Sequence, residues 1–126
     1  MTIAFWCVLI AAYLHIVWTS VAKFSGKFGD SENHNPREYL EALTGWRKRA
    51  HWAQMNSLEA FPPFAAAVII AQYLQASQAR IDALAMAFIA LRILYGVFYV
   101  TDKARLRSLV WLGAVGCVIA IFVAAA

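Results

Sequence analysis

The sequence predicts an all-α membrane protein, a bundle of four transmembrane helices forming one domain over residues 1–126. Three observations predict it. Hydrophobic residues make up 63% of the chain and charged residues 14%, against about 25% charged in an ordinary soluble domain. A domain this small buries too little of its surface to hide so much apolar area from water, so lipid is the natural solvent. Runs of the ~20 mostly apolar residues that a spanning helix needs recur along the chain, and the one long polar stretch falls between the first two.

The first span covers about residues 3–22 and contains no Lys, Arg, Asp or Glu. A signal peptide is disfavoured there, because no basic segment precedes the run and no small-residue cleavage site follows it. Residues 23–44 read as a loop, with the turn formers Gly26, Gly29, Asn33, Asn35 and Pro36. Within it, 36–43 is expected as a short surface helix opening on proline. The second span, about 45–75, is amphipathic in its first half and apolar in its second, and Pro62 and Pro63 predict a kink. A turn around 77–82 leads to a third span at 81–100. A tight connection at 101–105 leads to a fourth at 106–126. No internal repeat is evident.

Basic residues orient the bundle. Lys23, Lys27, Arg37, Arg47, Lys48 and Arg49 belong to the first loop and its flanks, and Lys103, Arg105 and Arg107 to the third. The opposite side has Arg80 and the amino terminus. The positive-inside rule therefore places both basic loops in the cytoplasm and both termini outside. Short loops suggest a bacterial inner membrane, with both termini periplasmic. The net charge of +4 is absorbed by this asymmetry and gives no support for nucleic acid. Cys7 and Cys117 stand in apolar runs without ligand spacing, so neither a metal site nor a disulfide framework is expected.

Polar residues inside apolar helices are costly and need a partner or a purpose. In the second span Arg49 and Asn56 are seven apart, hence within roughly 20° on a helix, and Glu59 is offset by about 60° on the same face. His51 and Gln54 flank that face. The third span carries Arg92, Tyr95 and Tyr99 on one stripe. Arg92 keeps its charge and must find a carboxylate, carbonyls or water, and Glu59 is the best-placed acid. Arg107 and Ser108 open the fourth span. Arg49, Asn56, Tyr99, Arg107 and Ser108 all fall toward the cytoplasmic ends of their helices, where a cationic, hydrogen-bonding cleft would suit a small anionic, peptide-like ligand. His15 is read as a packing residue. An acidic residue that would couple protons in a small four-helix exporter is missing from the first span.

The segment Arg49-Ala50-His51-Trp52-Ala53-Gln54-Met55-Asn56-Ser57-Leu58-Glu59-Ala60-Phe61-Pro62 resembles the second-helix signature of the MAPEG family, membrane-associated proteins in eicosanoid and glutathione metabolism. Arg92-Ile93-Leu94-Tyr95-Gly96-Val97-Phe98-Tyr99 resembles its third-helix pattern, and Arg107-Ser108 the start of its fourth helix. The resemblance implies a homotrimer in lipid. It implies glutathione as co-substrate, bound between neighbouring subunits near the cytoplasmic face and held by Asn56, Glu59 and Tyr99, with Arg49, His51, Arg92 and Tyr95 around it. Arg107 would then stabilise the thiolate, beside Ser108. It further implies conjugation of glutathione to a hydrophobic electrophile, or peroxide reduction. The sequence departs from the family at Trp52, where many members carry a basic residue four positions before the asparagine. A non-catalytic lipid-binding or scaffold protein of the same fold is the alternative, which would keep Glu59 and Arg92 without a working thiolate site.

Overall fold

The computed structural model describes residues 1–126 and is all-helical. Its elements are α1 (Ile3–Phe24), α2 (Asp30–Asn33), α3 (Pro36–Ala42), α4 (Gly45–Tyr73), α5 (Gln78–Val100) and α6 (Ala104–Ala124). Three of these, α1, α5 and α6, are long and apolar enough to cross a membrane. At about 1.5 Å rise per residue, 21–23 residues match a hydrocarbon core of ~30 Å. Helix α4, the expected second span, is a continuous helix of 29 residues but is not apolar enough to join them. Arg47, Lys48 and Arg49 fill its first turns, and Asn56 and Glu59 interrupt its apolar run.

One expectation about local structure changes. The segment read as a loop holds a second short helix, α2, in addition to the surface helix α3. Glu32 Oε2 accepts the Gly29 amide at 2.8 Å and so satisfies a donor at the start of α2. That bond and one to its own amide hold the exposed Glu32 carboxyl below its usual range. Its small stabilisation is therefore present above the ordinary glutamate pKa and is lost as pH falls through the lowered value. In α4, Pro62 and Pro63 are accommodated within an unbroken helix. Their rings remove the amide donors that the carbonyls of Leu58 and Glu59 would otherwise accept.

The bundle is assembled along seams with alternating three- and four-residue spacing, the pattern of knobs packing into holes. Buried Ala4, Cys7, Ala11, Leu14, Trp18 and Ala22 form the seam of α1. Buried Ala50, Ala53, Ser57, Phe64, Ala67 and Ala71 form the facing seam of α4. Small residues on both sides let the two backbones approach closely, which is how helices associate where lipid removes the usual hydrophobic drive. The inward seam of α5 runs Ile81, Ala85, Phe88, Arg92 and Tyr95, all buried, and continues to Tyr99. Its apolar half closes the core, where the rings of Phe88 and Phe64 stack at 3.9 Å. Its other half is polar, and that change along one seam creates the site.

Charged side chains tie off helix ends. Asp82 accepts the Ala4 amide at 2.8 Å and so caps the start of α1. Arg47 Nε donates to the Ala22 carbonyl at 3.1 Å near the end of α1, and its guanidinium also meets the Tyr39 hydroxyl. Arg49 donates from Nε and Nη2 to the Val100 carbonyl, at 3.2 and 3.1 Å, at the end of α5. A cation at a helix carboxyl end complements the helix dipole.

A tight contact between α5 and α1 gives a test of this packing. A Cβ on Gly96 of α5 would stand 1.9 Å from the Trp18 ring, which is itself buried. Gly96→Ala should therefore lower stability by about 1–3 kcal/mol through overpacking. Gly116→Ala, facing open space, should be neutral or slightly stabilising because glycine inside a helix costs roughly 0.5–1 kcal/mol against alanine. Thermal unfolding of the two variants in one detergent compares them directly.

Candidate functional site

Helix α4 has a second stripe beside its α1 seam: Trp52, Asn56, Glu59 and Pro63, spaced by four, three and four. It faces the polar half of the α5 seam and the opening turns of α6. Arg92 on α5 is buried, with 2% of its surface exposed. It donates from Nη2 to Asn56 Oδ1 at 2.9 Å, and Asn56 Nδ2 donates to Glu59 Oε2 at 3.0 Å. Within one chain Arg92 and Glu59 are thus linked through a relay. One amide offers an acceptor to the guanidinium and a donor to the carboxylate, and Asn56 stands one turn before Glu59 at the right level to do both.

From Arg92 an aromatic ladder climbs toward the basic side. The Arg92 Cζ lies 4.3 Å from the centre of the Tyr95 ring. Tyr95 meets Tyr99 edge to face at 5.5 Å. The Arg107 Cζ lies 4.3 Å over the Tyr99 ring from α6, and Trp52 closes against Tyr99 from α4 at 6.2 Å. Cation–π contacts of this kind orient a guanidinium without using its donors. The Arg107 guanidinium makes no hydrogen bond and keeps its donors free, while its backbone amide donates to the Lys103 carbonyl. Ser108 beside it donates to the Ala104 carbonyl at 3.1 Å.

These groups line three adjoining cavities. A deep one of about 270 Å³ has Asn56, Glu59 and Arg92 at one corner and apolar walls from Pro63, Phe88, Trp111, Ala114 and Val118. A second, about 320 Å³, lies between Trp52, Met55, Asn56, Glu59, Tyr95 and Tyr99. A third, about 210 Å³, lies between Tyr95, Tyr99, Arg107, Ser108 and Trp111. Asn56 and Glu59 join the first to the second, the two tyrosines join the second to the third, and Trp111 joins the third to the first. The arrangement is a polar cleft with a free cation at its mouth and an apolar chamber alongside.

The structure brings together Asn56, Glu59, Arg92, Tyr95, Tyr99, Arg107 and Ser108 of the residues expected at the site. It places Arg49 and His51 elsewhere. Arg49 is spent on the Val100 carbonyl, because the end of α5 comes within its reach before the cleft does. His51 is buried on another face of α4, where its Nδ1 lies 3.0 Å from Gln54 Oε1. Arg105 is exposed and lines none of these cavities. Trp111, Pro63 and Met55 were not expected. Trp111 stands four residues after Arg107 and Pro63 four after Glu59, so each continues a stripe already marked by a polar residue. Their lack of chemistry hid them.

Residues 3–126, essentially the whole chain, match the MAPEG family. No curated protein and no solved structure matches the chain.

Proposed function

We propose a thiol-activating function for this chain, which belongs to the MAPEG family. Family membership and three apolar helices make it an integral membrane protein of a group that works in glutathione and eicosanoid metabolism. On our reading it binds glutathione in the polar cleft, holds it as the thiolate, and delivers it to hydrophobic electrophiles or lipid peroxides. These enter the apolar chamber from the bilayer. The observation that carries the reading is Arg107, a guanidinium with unused donors held over Tyr99 at the mouth of a cleft that adjoins an apolar cavity.

A thiol of pKa near 8.5 is mostly protonated at neutral pH, and an adjacent guanidinium favours the thiolate. Arg107 would supply that charge, and the Ser108 hydroxyl would turn from the Ala104 carbonyl to donate to the same sulfur. The thiol proton leaves to water. The sulfur pair then forms a bond to an electrophilic carbon as the leaving group departs with its own pair. With a peroxide, the thiolate takes the terminal hydroxyl, the expelled alkoxide takes a proton from water to leave as an alcohol, and a second glutathione thiol displaces the hydroxyl of the sulfenic acid to give disulfide and water. Asn56, Glu59 and Tyr99 would position the peptide, Arg92 would hold Asn56, and Tyr95 would form the wall between the two mouths.

Assembly as a homotrimer belongs to this reading. Glu59 is exposed on a single chain, and an ionised carboxylate facing lipid is costly. Three copies turning the polar stripe of α4 inward would cover it. The basic side would face the cytoplasm of a bacterial inner membrane, with both termini periplasmic and α4 crossing the membrane as the second of four spans. Cross-linking in mild detergent should give trimers; a dominant monomer would count against this assembly.

The neutral Trp52 wall and the apolar chamber also suit a lipid ligand without catalysis. Calorimetry of the purified protein in detergent separates the readings. Glutathione binding at or below millimolar concentration supports thiol activation, and no heat of binding there favours the lipid-binding alternative.

A further inference from the structure

We infer that the chain binds an anionic phospholipid at the end of the bundle away from the cleft, in a groove between α5 and α6, with the lipid phosphate on Arg80. This site stands apart from the proposed thiol chemistry. The groove has a volume of about 410 Å³ and is lined by Arg80, Ala83 and Leu84 of α5 and by Ala120, Val123 and Ala124 of α6. Arg80 is the third residue of α5, and Ala124 is the last of α6. Helices of 21–23 residues just cross a hydrocarbon core of ~30 Å, so these turns stand at the level of the lipid phosphates and glycerol.

Arg80 has no task inside the chain. It is exposed, and no group of the chain accepts a hydrogen bond from its guanidinium. A cation in the first turn of a helix opposes the helix dipole, so α5 gains nothing from it. Its stem can lie along the apolar walls while its head stays at the polar boundary. A phospholipid matches both halves of the groove. Its phosphate takes the guanidinium in a charge-assisted bond that can be bidentate. The roots of its acyl chains fill the space that Ala83, Ala120 and Ala124 leave open.

The other charges at this end decide the headgroup. They are Asp82 and the two chain termini, and none of them lines the groove. Asp82 Oδ1 accepts from the Ala4 amide and from Gln78 Nε2, each at 2.8 Å. Two residues from Arg80, it points roughly 200° away around α5. The groove therefore offers a cation to a phosphate but no acid to the ammonium of a zwitterionic headgroup, and a net anionic lipid is favoured. No residue of α4 lines the groove, so turning the α4 stripe inward in a trimer does not of itself cover it.

Native mass spectrometry of the protein in mild detergent tests the site, with equal amounts of phosphatidylglycerol and phosphatidylcholine of the same acyl chains. Retained phosphatidylglycerol should exceed phosphatidylcholine about fivefold, the scale of one arginine at an anionic membrane surface. Arg80→Gln should bring the two lipids to parity. Ala120→Phe, which fills the groove, should lower phosphatidylglycerol to the phosphatidylcholine level while the oligomeric state is kept. Arg105→Gln removes the same charge at the other end of the bundle and should leave the preference intact. Equal retention of the two lipids by the unsubstituted protein overturns the inference, as does a preference that survives Arg80→Gln or is lost equally in Arg105→Gln. Unchanged retention in Ala120→Phe overturns the placement in the groove. Loss of the oligomer in that variant assigns the groove to a second copy of the chain and overturns lipid as its occupant.

Discussion

Arg107→Ala should lose conjugating activity by about 100-fold or more, the scale seen when one charge-stabilising donor is removed from a reacting centre. Glutathione binding should stay within tenfold, roughly 1.4 kcal/mol, because the peptide is held by Asn56, Glu59 and Tyr99 rather than by the sulfur. The split between activity and affinity is what separates a thiolate-stabilising role from a binding one. Arg105→Ala is the control. Arg105 is exposed and lines no part of the cleft, and two residues along a helix it points about 200° away from Arg107. Its loss should change activity little. Steady-state rates with a hydrophobic electrophile, set beside calorimetric affinity, check both variants. If Arg105→Ala is the inactive protein, the thiolate is stabilised by the other arginine.

Asn56→Ala should be the most destabilising single change in the polar network. Arg92 is buried and donates to Asn56 at 2.9 Å. Removing that acceptor leaves a buried guanidinium without its hydrogen-bonded partner, at a cost on the order of 3–5 kcal/mol. Glu59→Gln keeps an acceptor for the Asn56 amide at the exposed end of the relay and should cost about 1 kcal/mol. Arg92→Leu combined with Asn56→Leu removes both groups together and should recover much of the loss, since apolar replacement of a whole buried pair is often close to neutral. Thermal unfolding in detergent ranks the three proteins. Were Glu59→Gln to unfold earlier than Asn56→Ala, Arg92 would answer to the carboxylate directly and the relay would be wrong.

Much of the fold was legible because helical periodicity is a property of spacing alone. The stripes Arg92, Tyr95, Tyr99 and Asn56, Glu59 could be read from their intervals, and each continues a packing seam. Reach is another matter. Arg49 lies within roughly 20° of Asn56 around the helix, yet its long side chain finds the carbonyl end of α5 first. His51 finds Gln54 one turn on. Which partner a flexible side chain takes depends on where a neighbouring helix ends, and no interval within one helix encodes that. The link between Arg92 and Glu59 likewise runs through a third side chain. Opposite charges suggested a direct contact, and the amide between them takes both bonds. The apolar chamber escaped notice because Trp111 and Pro63 carry no charge. The short helix α2 was hidden among residues that favour turns.

On the proposed reading, Arg107 and its surroundings hold a glutathione sulfur as the thiolate. An ultraviolet difference spectrum of the unsubstituted protein, titrated with glutathione in detergent at neutral pH, tests it most directly. A saturable thiolate absorbance should appear with binding and be absent from Arg107→Ala at equal occupancy. Saturable binding with no thiolate signal in the unsubstituted protein, or the same signal in Arg107→Ala, would contradict it.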